Sequence, residues 1–342
     1  MRALVIESYK SVPQGLGFRD DWTNPPKLKS NEVLVKVRAA GINPVDWKTA
    51  DGMLKPVVTM SLPRGIGYDI SGSIVELGGG VTSFNLGDSV IAQLEPLNQG
   101  ALQEYAVVEE RLLAKMPMNL SFEEAAGIPL AAQTAVQCME QAGLDPEADN
   151  SAVKAFVPAG LGGVGMFATQ ILEKVYNVQV ATTVSTAKVD KMKQLVPRAQ
   201  VIDYKTTDYT TELSEIDFIL DTTGDLGNEA KILKEGGKVT SIAAMPDPNV
   251  VAERFGSVNF ITRPVLSAAT WYSGRKIRNV GGDYQYVWVD TDGARLQKIA
   301  SWIEQEKVQV VIDKVFDWND AKQAFVRSKE GPTGKVVVKI DR

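Results

Sequence analysis

Apolar positions fall into two textures along the chain. Up to about residue 120, short segments such as Val33-Leu34-Val35-Lys36-Val37-Arg38-Ala39 and Ser73-Ile74-Val75-Glu76-Leu77 alternate apolar with polar residues, and Gly, Pro and Asn separate them. Period-two alternation between turn residues predicts the strands of a sheet or barrel. Gly78-Gly79-Gly80 and Leu86-Gly87-Asp88 read as turns between those strands. The texture changes at Ser121-Phe122-Glu123-Glu124, where a Ser followed three residues later by Glu forms a capping box that opens an Ala-rich helical stretch. A domain boundary is placed there.

In the second texture strands and helices alternate. Residues 152–157 form an apolar run broken only by Lys154, as expected of a strand covered on both faces, and Val164, Phe167, Ala168, Ile171, Leu172 and Val175 follow at helical spacing. Further strands are predicted at 178–184, 201–203, 216–221 and 238–242, with polar helices between them; this order makes a parallel, doubly wound sheet. Beyond it come an aromatic strand at 284–289, helices at 292–307 and about 320–329, and a closing strand at 335–340. The basic run Arg275-Lys276-Ile277-Arg278 reads as a solvated surface. Trp271, Tyr272, Tyr284, Tyr286 and Trp288 suit either a substrate pocket or a subunit interface.

Composition narrows the chemistry. A chain of 342 residues suggests two domains, and 37 Lys plus Arg against 42 Asp plus Glu, with the basic residues scattered, argues against a nucleic-acid partner. There is no His, and Cys138 is the single Cys. An internal disulfide, a Ser-His-Asp triad, a His-bearing metal site and a thiolate zinc site are therefore all excluded, so no metal is expected. Cys138 itself reads as a small buried hydrophobe. The N-terminal apolar stretch is too short for a signal peptide and no run is long enough to span a bilayer, which predicts a cytoplasmic protein without membrane contact.

The candidate chemistry starts at Gly160-Leu161-Gly162-Gly163-Val164-Gly165. The hexapeptide fits G-x-G-x-x-G, follows an apolar strand and opens an amphipathic helix, so bare backbone lets a pyrophosphate approach the helix N-terminus. Gly160, Gly162, Gly163 and Val164 are the expected contacts. About 20 residues further on, where an acid would bind the ribose hydroxyls of NAD, the chain reads Thr182-Thr183-Val184-Ser185-Thr186-Ala187-Lys188. The missing carboxylate, with Ser185, Thr186 and Lys188 in its place, favours NADPH. Asp221-Thr222-Thr223-Gly224 ends a strand on the cofactor side, which adds Thr223.

Several ordered segments carry a resemblance. Ala39-Ala40-Gly41-Ile42-Asn43-Pro44-Val45-Asp46, Gly67-Tyr68-Asp69-Ile70-Ser71-Gly72, Phe84-Asn85-Leu86-Gly87-Asp88-Ser89-Val90 and Ser121-Phe122-Glu123-Glu124-Ala125-Ala126, followed by the glycine motif, resemble the medium-chain dehydrogenases/reductases. The chain is similar to their zinc-independent quinone oxidoreductase branch and to enone and alkenal reductases. The resemblance implies an α/β protein: a GroES-like, partly open β-barrel catalytic domain of residues 1–122 and 268–342, and a Rossmann NADPH-binding domain of 123–267. It also implies a homodimer. In zinc-dependent relatives a Cys stands where this chain has Asn43 and a His-Glu pair where it has Tyr68-Asp69, so zinc-assisted alcohol dehydrogenation is disfavoured.

The implied activity is NADPH-dependent hydride transfer to a small hydrophobic conjugated carbonyl or a quinone, in which developing oxygen charge is met by hydrogen-bond donors. The alternative is a protein that binds NADPH as a sensor or crystallin-like structural element with little turnover. The resemblance puts Asn43, Lys48 and Tyr68 at the catalytic cleft. Asn43 holds either the nicotinamide ribose or the substrate oxygen, or is simply the turn residue before Pro44; Lys48 donates to a ribose hydroxyl or an enolate, or is an exposed Lys. Tyr68 either bonds substrate or packs beside Gly67. Asp46 and Asp69 cap turns or orient neighbours. Thr134 matches a position near the nicotinamide and Tyr204 one against the adenosine phosphate, although Val196-Pro197-Arg198-Ala199-Gln200 departs from the family pattern just before it.

Overall fold

The computed structural model describes residues 1–23, 25–55, 60–95, 100–243, 247–255 and 263–340, with the side chains of 253–255 set aside. The chain divides into two compact units, Met1–Gln133 with Thr291–Gln305 and Val310–Arg342, and Thr134–Asp290 with Glu306–Gln309.

In the first unit the alternating segments form sheets, as their period predicts. Seven strands run in the order Ile312–Asp317, Lys335–Lys339, Glu32–Ile42, Asp69–Leu77, Ser89–Gln93 and Leu113–Lys115, with Tyr105–Glu109 also paired to Glu32–Ile42. A separate three-stranded sheet is made by Leu16–Arg19, Ala3–Ile6 and Arg64–Gly65. The inward side chains of both sheets, among them Leu4, Ile6, Val35, Ile70, Val90 and Val338, share one core with Phe325 of the helix Ala321–Lys329. Ser121 caps the helix Phe122–Ala125 as its capping box requires, accepting from the Glu124 N–H while Glu124 accepts from the Ser121 N–H.

The second unit is a six-stranded, wholly parallel sheet. Its order is Gln200–Asp203, Gln179–Val184, Lys154–Val157, Ile216–Asp221, Leu233–Ser241 and Asp283–Tyr286. In sequence ranks that is 3-2-1-4-5-6, the order of the dinucleotide-binding fold, and ligands of such sheets bind beyond the carboxyl ends of the strands. The helix Gly163–Lys174 buries Phe167, Ala168, Ile171 and Leu172, as their spacing predicts.

The units differ from the expected domains at both boundaries. The first unit extends past residue 122 to Gln133, because the Ala-rich stretch is two helices, Phe122–Ala125 and Pro129–Gln141, and the shorter one packs on strands of the first unit. Residues 268–290 belong to the second unit rather than the first. There the helix Arg263–Arg278 packs on Leu226–Ile232, and Asp283–Tyr286 adds a sixth parallel strand beside Leu233–Ser241. The strand Ile312–Asp317 escaped prediction: as an edge strand it keeps Asp313, Lys314 and Val315 partly or fully exposed and lacks an apolar run. Trp271 and Tyr272 are 59% and 63% exposed and therefore line no interior pocket of the second unit.

Candidate active site

In the second unit the candidate site is a loop that needs glycine at defined positions. After Val157 the chain turns through Ala159, which lies in the left-handed region at φ 53°. The loop is held from the neighbouring strand: the Ala159 N–H donates to Thr183 Oγ1 at 3.2 Å, the Gly160 N–H donates to the Thr183 carbonyl at 3.0 Å, and the Thr182 hydroxyl donates to the Val157 carbonyl at 2.6 Å. Thr182 and Thr183 thus spend their hydroxyls on the loop. A Cβ on Gly160 would collide with Thr182 Oγ1, and one on Gly165 with the Ala159 carbonyl. Gly162 caps the helix Gly163–Lys174 without a side chain, and Gly162, Gly163 and Val164 stay partly open. This bare, positively polarised helix end fits the diphosphate of a dinucleotide.

Two further segments lie at carboxyl ends of the same sheet. Asp221 is fully buried and accepts from the Thr223 N–H at 2.9 Å, the Gly224 N–H at 2.6 Å and the Ser241 hydroxyl at 2.7 Å. Thr222 then donates to the Pro158 carbonyl at 2.7 Å, tying this turn to the base of the glycine loop and leaving Thr223 exposed. Beyond Gln179–Val184, Thr186 is exposed while Ser185 and Lys188 are half-buried. Sequence reasoning found no acid on that strand, but the sheet supplies one beside it: Asp203 stands opposite Val184, and its carboxyl is held below the usual range by the Thr186 hydroxyl and the Lys205 N–H. Tyr204 is 52% exposed next to it, with its N–H donated to the Val184 carbonyl. The departure at 196–200 has a local reason, since Arg198 bonds Asn177 Oδ1 at 2.9 Å and also reaches the Glu173 carbonyl. Thr134 and Cys138 are both buried in Pro129–Gln141, and burial pushes the Cys138 thiol up to about 12, so it is no nucleophile.

In the first unit the resemblance singled out Asn43, Lys48 and Tyr68, and the fold surrounds Asn43 with charge. Gly41 stands opposite Asp69 on one side of strand Glu32–Ile42, and Ile42 stands opposite Val336 on the other. Register therefore brings Lys335 level with Asn43 and sets Asp69 diagonally across from it. The Asn43 amide donates to Asp69 Oδ2 at 2.8 Å, and the Lys335 ammonium donates to Asn43 Oδ1 and lies 3.4 Å from Asp69 Oδ2. Asp69 Oδ1 accepts the Leu130 N–H at 2.8 Å. Asn43, Asp69 and Lys335 are all buried, so both polar ends of Asn43 are engaged inside the protein. Burial pushes the Asp69 carboxyl up, and Lys335, Asn43 and Leu130 hold it down.

Asp46 and Tyr68 form the adjoining part. Asp46 Oδ2 accepts the Asn43 N–H at 2.6 Å, capping the helix Pro44–Ala50, whereas its Oδ1 is buried with no hydrogen-bond partner. Burial pushes its carboxyl up to about 8. Asp46, Thr49, Arg64 and Tyr68 line a small pocket, and burial together with the Asp46 charge pushes the Tyr68 phenol up to about 12. Lys48 is half-buried, with its ammonium 5.7 Å from the centre of the Trp47 ring, and desolvation lowers its pKa. Sequence reasoning missed Lys335; its signal was a cation immediately before the apolar run Val336-Val337-Val338.

Comparison with known proteins places this arrangement. Residues 29–118 match the family described as alcohol dehydrogenase GroES-like domain, and residues 198–338 the family described as zinc-binding dehydrogenase. A chloroplast envelope quinone oxidoreductase homolog of Arabidopsis thaliana is 32% identical, covering 99% of this chain and 98% of its own. An NADPH-dependent alkenal/one oxidoreductase of the same plant is also 32% identical, over 92% of this chain and 73% of its own. Among solved structures, the quinone oxidoreductase from Coxiella burnetii superposes with a TM-score of 0.81 at 26% identity, covering 100% of this chain and 99% of its own. With its barrel strands, its 3-2-1-4-5-6 sheet and its glycine loop, the chain belongs to the medium-chain dehydrogenase/reductase superfamily.

Proposed function

We propose that this protein is an NADPH-dependent, zinc-independent reductase of α,β-unsaturated carbonyls or quinones. The observation that carries the reading is the buried cation of the first unit. Where zinc-dependent relatives keep metal ligands, this chain has Asn43, Tyr68 and Asp69, and the positive charge lodged among them is the Lys335 ammonium. The chain has no His and one buried Cys to offer a metal. Asn43, Asp69 and Lys335 bond one another, so the donor left for an acceptor whose oxygen gains charge as its carbon is reduced is the half-buried Lys48 ammonium.

NADPH, when bound, supplies the hydride. Gly160, Gly162, Gly163 and Val164 line the diphosphate site, Ser185, Thr186 and Lys188 receive the 2′-phosphate, and Tyr204, Thr223 and Thr134 complete the contacts. Lys48 is the donor to the substrate oxygen, its ammonium lying over the Trp47 ring with no hydrogen bond among the described residues. Asn43 and Tyr68 shape the floor behind it, and Asn43 does so through Asp69 and Lys335.

Two relatives carry names that point to conjugated carbonyl reduction, an alkenal/one oxidoreductase and a 2-methylene-furan-3-one reductase, while others are quinone oxidoreductases. Product identification separates the two: a saturated ketone marks ene reduction, a hydroquinone or semiquinone marks quinone reduction. Tight NADPH binding with no turnover on either acceptor class would instead favour a sensor or structural role. A homodimer belongs to the same reading by family resemblance, and sedimentation of the purified chain tests it. No described helix is long and apolar enough to cross a membrane.

A further inference from the structure

The outer face of one helix in the second unit has no part in the cofactor site. Arg263–Arg278 buries Leu266, Gly274 and Ile277 and packs on Leu226–Ile232 and the strand Asp283–Tyr286. On its other side Val265, Trp271 and Tyr272 are 69%, 59% and 63% exposed. At about 100° per residue, Trp271, Tyr272 and Arg275 all project away from the buried side, so the two rings share one face with a cation. Large apolar side chains grouped in water mark a contact surface, whereas single ones do not.

The charge of this helix has one sign. It carries Arg263, Arg275, Lys276 and Arg278 and no Asp or Glu, in a chain whose net charge is -5. The neighbours of these cations are neutral. Arg263 donates to Asn249 Oδ1 at 2.9 Å, Arg275 lies 5.5 Å from the centre of the Trp271 ring, Lys276 reaches toward Gly227, and Arg278 donates to the Trp271 carbonyl at 2.7 Å. Among the described residues none of the four pairs with a carboxylate. The complementary partner is therefore anionic and also takes aromatic rings out of water. A second copy docked here by a two-fold axis would set these cations against their own image. A lipid surface with anionic headgroups meets both needs, because Trp and Tyr settle where headgroups meet acyl chains and Arg and Lys reach the phosphates.

We propose that the outer face of Arg263–Arg278 docks this protein on an anionic lipid surface, with Trp271 and Tyr272 at the headgroup boundary and Arg275 and Lys276 on the phosphates. Sequence reasoning took the lack of a long apolar run to predict no membrane contact. Such a run is what a span needs, whereas docking through one helix face needs only exposed rings and cations. Apolar acceptors of the class proposed above concentrate in lipid, so docking brings the reductase to them; the docking itself is tested without that reading.

The test is co-sedimentation of the intact purified chain with vesicles of phosphatidylcholine alone and of phosphatidylcholine mixed with phosphatidylglycerol. The unaltered protein is expected to bind the mixed vesicles at low salt, to leave them as salt rises, and to stay in solution with phosphatidylcholine alone. Neutralising Arg275 and Lys276 to Ser should weaken binding by about fivefold for each cation, or about 25-fold together. Trp271→Ser with Tyr272→Ser should weaken it by at least about tenfold. All four positions are exposed, and an unchanged circular dichroism spectrum shows that the variants fold. Equal capture by both vesicle types, capture that salt does not alter, or no capture by either would overturn the proposal, and these three readings need only the unaltered chain. Sedimentation without lipid provides the last arm: a dimer that dissolves when Trp271 and Tyr272 are replaced would assign this face to a second copy and overturn the proposal as well.

Discussion

Lys335 and Asp69 approach to 3.4 Å with side chains 2% and 0% exposed, and Asn43 bonds both of them. Three neighbouring strands and the start of the helix Pro129–Gln141 meet at this pair. Removing the cation alone strands a buried carboxylate. Lys335→Met is expected to lose about 3–5 kcal/mol in urea denaturation, and adding Asp69→Asn to recover a large part of it. A Lys335→Met protein as stable as wild type would show that the charge pair holds nothing in place.

Asp46 gives a pH signature. Its carboxyl is raised from 3.8 to about 8 in the folded protein, so the native state binds the proton more tightly than the unfolded chain does. Its contribution to stability is therefore complete below the unfolded pKa and is lost as pH climbs toward 8. Asp46→Asn, which cannot ionise, should gain stability relative to wild type between pH 5 and 8, by at most about 1.4 kcal/mol per pH unit. Denaturation curves with parallel pH profiles would contradict this.

Gly165→Ala separates helix propensity from ligand geometry. Propensity alone would make Ala at a helical position favourable by about 1 kcal/mol. The added Cβ would instead meet the Ala159 carbonyl and push the loop out of shape. NADPH affinity is expected to fall at least about tenfold, roughly 1.4 kcal/mol, while the circular dichroism spectrum is retained.

Lys188 tests the choice of dinucleotide. A charge-assisted bond to the 2′-phosphate is worth about 1.5–3 kcal/mol, so Lys188→Ala should weaken NADPH by about tenfold or more and leave NADH nearly unchanged. Equal losses for both dinucleotides in a binding titration would remove Lys188 from the phosphate site. Asp203, already engaged by Thr186, is the residue whose replacement by Asn should favour NADPH further.

Legibility in the sequence followed how local the determinant was. The capping box at Ser121, the helical face beginning at Val164 and the strand 216–221 were readable because each depends on neighbours within one turn or one strand. Lys335 was not, because its meaning comes from the register that sets it beside Asn43, 292 residues away. Asp203 escaped for the same reason: it belongs to the next strand and reaches Thr186 only once the two strands pair. The hydroxyls of Thr182 and Thr183 could be seen as polar, but that they hold the glycine loop is settled by the sheet.

Zinc-independent reduction is the central claim, and acceptor-dependent NADPH oxidation by chelator-treated protein tests it most directly. The absorbance of reduced nicotinamide would be followed with a panel of conjugated enals, enones and quinones, before and after chelation. Steady oxidation that chelation leaves unchanged, with a saturated carbonyl or a hydroquinone or semiquinone as product, is the predicted result. Turnover that disappears on chelation and returns with zinc would contradict the account.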